Sequence, residues 1–541
     1  MTQVAMQRRP RLAAALWPRM PHPRRAAAAL VPPLAIFAIA LALRLYGIGD
    51  KPLWLDEITT LSRSHLPFLA LLTDSLSFHH LPSYFLLTSW MVRFGDTEFM
   101  LRLPSAVFGA LACVVVFAIG RRLGGRNAGL AAALLMAVSP AQVQYGQEAR
   151  SYALVTCLIA LGLWGQLVLV RDFRRSAAPW RAPDANRAGW AAYVLGTAGA
   201  LNVLSVALFW WLAANAAMLL LAWRDASVRR GLLRNWGIAQ LVVAAVSAPW
   251  FAAMYVLVDG HMGSGLDWVP PITLHHLWST LSSVYLLGIT SLISFHIYPQ
   301  PLPLLGAVIV ALAVLGAYWL RRRREQIIVL GTAVVALPVC MLLISLHSSL
   351  WMPRYLLWGA APFFVMAGLG VRGLPRPTQA AAAVALGLLG FINLLPYYRV
   401  ETKPRWDLAA AELNLNLSDG DVVLVNDLAA VKIINLYLGR NSRAMYPAQW
   451  TMNPREAADD LAHGHQVWAI EGRVGQADVE GLYEFLERVA PLGPPSAWLQ
   501  KGRDVTVLRY DPPLRAQPCA GQPGCERPDA FSAGRPPRRD E

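Results

Sequence analysis

Eighteen consecutive residues without a charge, Ala26 to Leu43, constrain this chain more than any other feature. A helix needs roughly 20 apolar residues to cross about 30 Å of hydrocarbon, so this run comes close to a full span. Ten further apolar segments follow, near 101–120, 127–143, 151–170, 189–206, 207–223, 236–258, 301–320, 326–346, 355–371 and 378–396. With 56% hydrophobic and 15% charged residues among 541, and a mean hydropathy of +0.40, the composition excludes an ordinary soluble domain. The chain reads as an α-helical polytopic membrane protein with about eleven spans.

The net charge of +15 comes from 48 Lys and Arg against 33 Asp and Glu. Nucleic acid is not the implied partner, because the arginines fall in short clusters between apolar runs. Alternate connections carry Arg121, Arg122 and Arg126; Arg171 to Arg187; Arg224 to Arg234; Arg321 to Arg324; and Arg372 and Arg376. The positive-inside rule places these in the cytoplasm. The arginine-rich stretch before Ala26 resembles a signal peptide, but no small-residue cleavage site precedes Arg44, so it reads as a retained anchor with a cytoplasmic N-terminus. An odd number of spans then leaves the C-terminus outside, in the periplasm of a Gram-negative cell.

Two apolar stretches, His80 to Phe94 and Ser282 to Tyr298, are too short to join the count and are predicted as helices lying in the outer interface. After Pro396 the apolar runs shrink to strand length. Asp421 to Asn426, Gln466 to Ile470 and Val505 to Tyr510 have the pattern of buried strands, alternating with helical spacing over 428–438, 454–462 and 477–489. That alternation predicts a small C-terminal α/β domain with a partly parallel sheet. The expected organisation is a basic N-terminal stretch over 1–25, a membrane domain over 26–396, an outer α/β domain over 397–511 and a disordered Pro- and Arg-rich tail over 512–541. Cys113, Cys157 and Cys340 fall in predicted spans as small apolar residues, while Cys519 and Cys525 lie in the tail, where the compartment permits but does not require a disulfide.

Polar residues gather on the side that the charge rule places outside. Asp56 and Glu57 follow the first span, His79, His80 and Tyr84 come later in the same connection, Gln144, Tyr145, Gln147, Glu148 and Arg150 follow the third span, and Arg354 and Tyr355 open the tenth. Ionisable groups at membrane depth cost about 3 kcal/mol on insertion scales, so their convergence on one face marks a candidate site.

The stretches RLYGIGDKPLWLDEITT, HHLPSYFLLTSWMVRFGDTEFMLRLPSAVFGAL and GRRLGGRNAGLAAALLMAVSPAQVQYGQEARSYAL, together with MPRYL at 352–356, resemble the bacterial protein-mannosyltransferase-like and lipopolysaccharide-core glycosyltransferases. These are multi-spanning C-type enzymes that take sugars from polyprenyl-phosphate carriers. The resemblance implies that Asp56 is the catalytic carboxylate with Glu57 beside it. It maps the family's His-Pro-Pro-Leu-Tyr-Tyr run onto His80 to Phe85, with one Pro replaced by Leu and one Tyr by Phe. It places Glu148 and Arg150 in a second motif, and Arg354 where a phosphate-binding cation is expected. His80, Tyr84, Glu148 and Tyr355 are the implied substrate contacts, and Arg354 and Arg150 the implied donor-phosphate contacts.

That chemistry suits the residue types. A sugar polyprenyl phosphate already carries a stable leaving group, so the reaction needs a base for the acceptor hydroxyl and fixed positive charge for the departing phosphate. An Asp and a pair of arginines supply both, and a single displacement inverts the anomeric centre. Glu57 and Glu148 either orient the base or acceptor or hold a divalent cation, and their number does not decide between these. The acceptor is a hydroxyl of a glycolipid, a polysaccharide or a protein in the cell envelope. Two other readings remain: a transporter or flippase of lipid-linked sugars, and a non-catalytic envelope assembly protein.

Overall fold

The computed structural model describes residues 23–172, 184–224, 226–258, 269, 271–292, 295–418, 420–440, 449–472, 482–502 and 504–512. The basic N-terminus, the tail and its two cysteines therefore lie outside the described residues.

Helices occupy all eleven apolar segments, because a backbone within lipid has to satisfy its own N–H and C=O groups. The first is α1 (Pro23–Leu45). After it come three short helices, α2 (Leu55–Ser64), α3 (Phe68–Ser77) and α4 (Ser83–Met91), and then α5 (Glu98–Gly124), α6 (Arg126–Val138) and the single-turn α7 (Pro140–Gln144). The bundle continues with α8 (Tyr152–Asp172), α9 (Asp184–Val203), α10 (Ala207–Arg224), α11 (Ala226–Leu257) and a shorter α12 (Leu274–Tyr285). It closes with α13 (Leu305–Leu320), α14 (Arg324–Ser345), the one-turn α15 (Pro353–Leu356) leading into α16 (Ala360–Val371), and α17 (Arg376–Leu394). Among the described residues, seven helices are long and apolar enough to cross a membrane on length and composition.

Small residues set the helix spacing. A Cβ on Gly316 of α13 would stand 1.9 Å from the Met366 carbonyl of α16, and one on Gly370 would stand 2.1 Å from the Leu312 carbonyl, so these two backbones touch. Arginines close one end of the bundle: Arg323 Nη1 and Arg372 Nη1 donate to the last carbonyls of α5, at Leu123 (3.0 Å) and Gly124 (2.8 Å).

The opposite end carries the short helices. The expected helix over His80 to Phe94 is present as α4 and a following turn of 3-10 helix, Val92–Phe94. Phe68, Leu69, Trp90 and Phe94 point outward from α3 and α4, as suits an interfacial surface. The second expected interfacial helix, Ser282 to Tyr298, is not one. Helix α12 stops at Tyr285, Leu287 takes a left-handed φ of 60°, and the chain continues as a small antiparallel hairpin of β1 (Ile289–Thr290) and β2 (Ile297–Tyr298). Gly288 explains the break: a Cβ there would lie 2.6 Å from Ser282 Oγ, and helical continuation is replaced by a tight turn.

The C-terminal domain is α18 (Trp406–Asn416), β3 (Val422–Val425), α19 (Leu428–Arg440), β4 (Gln449–Thr451), α20 (Pro454–Ala462), β5 (Val467–Gly472), α21 (Leu482–Val489), β6 (Ala497–Gln500) and β7 (Val505–Tyr510). Its sheet runs β4-β3-β5-β7-β6, parallel across β4, β3 and β5 and antiparallel at β7 and β6. The three strands expected from their apolar runs are all present. Elements α18, β4 and β6 were not legible, being short or half-exposed. One face of the sheet shares a core with the membrane domain, where Trp406, Ala409, Leu413 and Ile433 pack with Leu53, Ile58 and Leu61 around α2.

Candidate active site

Asp56 sits in the first turn of α2, which begins after Trp54 in extended conformation. Its Oδ2 accepts a hydrogen bond from Arg354 Nη1 at 2.9 Å, and Arg150 Nε lies 3.8 Å from the same oxygen. The Asp56 side chain is 27% exposed, whereas those of Arg354 and Arg150 are 4% and 10% exposed, so the carboxylate is the accessible member of the trio. Burial pushes this carboxyl up, but Arg150 and Arg354 outweigh it and hold Asp56 below the ordinary carboxylate range.

Glu57 points elsewhere. Successive helical residues are about 100° apart, so the acidic pair cannot face one way. Arg102 Nε and Nη2 grip the two Glu57 oxygens at 2.8 Å each, Lys403 Nζ donates to Oε2 at 2.7 Å, and the Ala149 N–H donates to Oε1 at 2.9 Å. Arg102 spends its other donors on the carbonyls of Ile48, Lys51 and Pro52. Glu57 is fully buried; burial raises its pKa, yet Arg102 and Lys403 pull it down to about 2. With four N–H donors on two oxygens, it has no lone pair left for a cation.

Glu148 is the opposite case. It is completely buried, and neither of its carboxyl oxygens has a hydrogen-bond partner among the described residues. Burial, with the nearby charges of Glu57 and Asp56, pushes it up to about 8 against the pull of Lys403 and Arg354. Glu148 is therefore a neutral acid with unspent polar atoms, near enough to Glu57 and Asp56 to feel their charge.

His80 Nε2 lies 3.4 Å from Arg150 Nη2, and its Nδ1 is buried without a partner. Burial and the charges of Arg150 and Arg63 hold it down to about 3, so the imidazole is neutral. With Tyr84, Arg150 and Ser151 it lines a small cavity of about 20 Å³. The Tyr84 hydroxyl is engaged with Ser105 Oγ at 2.7 Å, and Ser105 Oγ donates to the Arg150 carbonyl at 2.9 Å, which makes Tyr84 a support for Arg150. Tyr355 and Trp54 lay their rings 5.4 Å and 5.8 Å from the Arg354 guanidinium.

Gln144 and Gln147 are taken up by the framework. Gln144 Nε2 donates to the Thr290 carbonyl, and Gln147 bridges the Arg44 and Tyr46 carbonyls to the Tyr397 hydroxyl. Two residues that hold the site were not among the sequence candidates. Arg102 was detectable in principle as a lone charge within the second apolar helix. Lys403 carries no local signal, since its meaning comes from a contact 346 residues away. Among the described residues, no three His, Cys, Asp or Glu side chains are grouped to hold a metal ion.

A family model described as dolichyl-phosphate-mannose-protein mannosyltransferase matches residues 80–252. No curated protein matches the chain. Among solved structures, ArnT from Cupriavidus metallidurans in the apo state is 14% identical with a TM-score of 0.57, covering 90% of this chain and 98% of that one. The same protein bound to undecaprenyl phosphate is 15% identical with a TM-score of 0.53, covering 88% and 97%. The oligosaccharyltransferase of Archaeoglobus fulgidus in complex with Zn and sulfate is 13% identical with a TM-score of 0.50, covering 80% of this chain and 67% of that one. The chain thus shares the fold of these solved structures, a polytopic helical membrane domain followed by a small β-sheet domain.

Proposed function

We propose that this protein is a membrane glycosyltransferase that moves a sugar from a polyprenyl-phosphate carrier to a hydroxyl of a cell-envelope acceptor. The carrying observation is the Asp56–Arg354 contact at 2.9 Å, with Arg150 beside it: a partly exposed base next to two buried guanidinium groups. Among the described residues of the site, four buried cations, Arg102, Arg150, Arg354 and Lys403, stand with two carboxylates held in the ionised form, Asp56 and Glu57. Buried charge left over in this way calls for an anionic ligand, and a phosphate supplies it. The fold shared with a protein solved with undecaprenyl phosphate supports the same donor class.

In this reading the donor phosphate competes with Asp56 for Arg354 and Arg150. As the guanidinium groups turn to the phosphate, the carboxylate loses the partners that depress its basicity and becomes free to accept the acceptor's proton. The acceptor oxygen forms a bond to the anomeric carbon while the bond from that carbon to the phosphate oxygen breaks. The polyprenyl phosphate leaves with the electron pair, held by Arg354 and Arg150, and the proton ends on Asp56. One displacement inverts the anomeric centre. Neutral Glu148 offers its O–H to the sugar or the acceptor, and His80, Trp54 and Tyr355 wall the site.

All eleven helices cross the membrane in this reading, with the N-terminus cytoplasmic and the site on the outer face beneath the C-terminal domain. The test is turnover of an undecaprenyl-phosphate sugar by purified protein in nanodiscs, read as released undecaprenyl phosphate. Asp56→Asn keeps the shape of the side chain but cannot take a proton, and turnover falls by at least about a hundredfold. A variant retaining more than about a tenth of wild-type turnover removes Asp56 from the mechanism.

A further inference from the structure

Beyond α17 the chain runs through 399–405 into α18, and this connector is laced to the site end of the bundle. The Tyr298 hydroxyl donates to the Glu401 carbonyl, the Leu292 N–H donates to the Thr402 carbonyl at 3.3 Å, and Lys51 Nζ donates to Thr402 Oγ1 at 3.0 Å. Lys403 comes next, 4% exposed, with its ammonium on Glu57. Arg405 then clasps Asp407 at the start of α18 with bonds of 2.9 and 2.8 Å.

The C-terminal domain holds α2 from a second side. Tyr437 of α19 accepts the Leu53 N–H at 2.6 Å and donates to Glu98 Oε1 at 3.2 Å, above the shared apolar core of Trp406, Leu413, Leu53 and Ile58. Between these two grips lies Glu57, whose Oε1 accepts the Ala149 N–H. Ala149 separates Glu148 from Arg150, whose Nε lies 3.8 Å from Asp56 Oδ2. A continuous path of contacts therefore runs from Lys403 through Glu57 and Ala149 to Arg150 and Asp56.

We propose that Lys403 is a positioning residue of the active site: through Glu57 it fixes the 148–150 turn against Asp56, so the connector to the C-terminal domain is an obligatory part of the catalytic machinery. Arg102 alone can hold Glu57 in place on its α5 side. Among the described residues, only Lys403 ties that carboxylate to the C-terminal domain, which places the geometry of the base and its arginines under the control of that domain. The consequence for turnover rests on the glycosyl-transfer reading, whereas the consequence for the 148–150 turn rests on these contacts alone.

The experiment compares full-length wild type, Lys403→Met, Lys403→Arg and, as a control within the C-terminal domain, Lys501→Met, whose ammonium pairs with Glu412 at 2.7 Å away from the site. All are held in nanodiscs. Amide hydrogen exchange is followed in the peptide covering 145–152, beside kcat, KM for the donor and the pH profile. In Lys403→Met, losing a charged hydrogen bond speeds exchange at Ala149 by at least roughly tenfold. Its kcat falls by a similar factor while KM for the donor stays within about threefold, the pattern of a site bound but misaligned. The acid limb of its activity moves to higher pH, since Glu57 loses one of the cations that keep it ionised. Lys403→Arg restores most of all three readouts, and Lys501→Met changes none. Should Lys403→Met fail to fold, Lys403→Gln, which keeps a donor but no charge, shows the same changes in smaller measure. A folded Lys403→Met or Lys403→Gln with wild-type exchange at Ala149 and wild-type kcat overturns the proposal. If wild type transfers no sugar from any polyprenyl phosphate, the transfer reading falls, and exchange at Ala149 still decides the coupling.

Discussion

Arg354 and Asp56 are 298 residues apart in sequence and meet at 2.9 Å, joining α15 to the first turn of α2. The contact occupies the one carboxylate of the cluster that reaches solvent, and Arg354 is packed between the rings of Trp54 and Tyr355. Arg354→Lys keeps the charge but loses the planar fork and the stacking that orient it. Turnover of an undecaprenyl-phosphate sugar is expected to fall by at least about tenfold, and up to the roughly 10²–10³ that losing one donor to a developing charge costs. Wild-type turnover in Arg354→Lys would reduce the arginine to an interfacial anchor.

The pH profile separates two carboxyl groups with opposite shifts. Asp56 lies below the ordinary carboxylate range, so it is ionised and able to accept a proton across the neutral range and loses that ability only as pH falls through its depressed value. Glu148 is raised to about 8, so the neutral form that can donate a hydrogen bond prevails below that pH and disappears above it. Activity should decline above about pH 8 in wild type. Glu148→Gln, a neutral amide of the same shape, should keep substantial activity at neutral pH and lose the basic limb. A basic limb unchanged in Glu148→Gln would assign it to another group.

The same groups set the stability profile. Glu57 is depressed to about 2 from an ordinary 4.5, so its contribution is fully present above the unfolded value and is lost as pH falls toward about 2. Glu148 is raised from 4.5 to about 8, so the fold binds an extra proton between those values and loses stability as pH rises through them. Thermal unfolding in nanodiscs should show Tm falling between pH 5 and 8 in wild type, with a flatter course in Glu148→Gln over the window set by these two values. An identical slope in both would show that Glu148 is not the group responsible.

How much of this was legible in the sequence follows from the range of the interactions involved. The membrane helices were, because an apolar run long enough to span is a local property, and so were β3, β5 and β7, each a short apolar run between turns. Asp56, Arg150 and Arg354, which the structure brings into contact, and the buried Glu148 could be named as candidates from motif and from their position at the ends of apolar runs. Their division of labour could not. Asp56 and Glu57 read as one acidic pair, but helix geometry sends one toward solvent and the other into Arg102 and Lys403. The hairpin over 289–298 reads as helix in the sequence because its break needs a left-handed Leu287 ahead of Gly288, and one glycine in an apolar run does not by itself announce a turn.

A chelator should have no effect on the reaction. Glu57 accepts four N–H donors and has no capacity to ligate, which leaves Asp56 and Glu148 as the carboxylates of the site, and Asp56 already faces two guanidinium groups. A divalent cation there would sit against the fixed positive charges of Arg354 and Arg150, which already occupy Asp56 and repel the ion. Turnover in nanodiscs is therefore expected to survive prolonged treatment with EDTA. Loss of activity that Mg²⁺, Mn²⁺ or Zn²⁺ restores would show that donor binding rearranges the arginines enough to open a cation site, and would move the charge on the leaving phosphate from Arg354 and Arg150 to the metal.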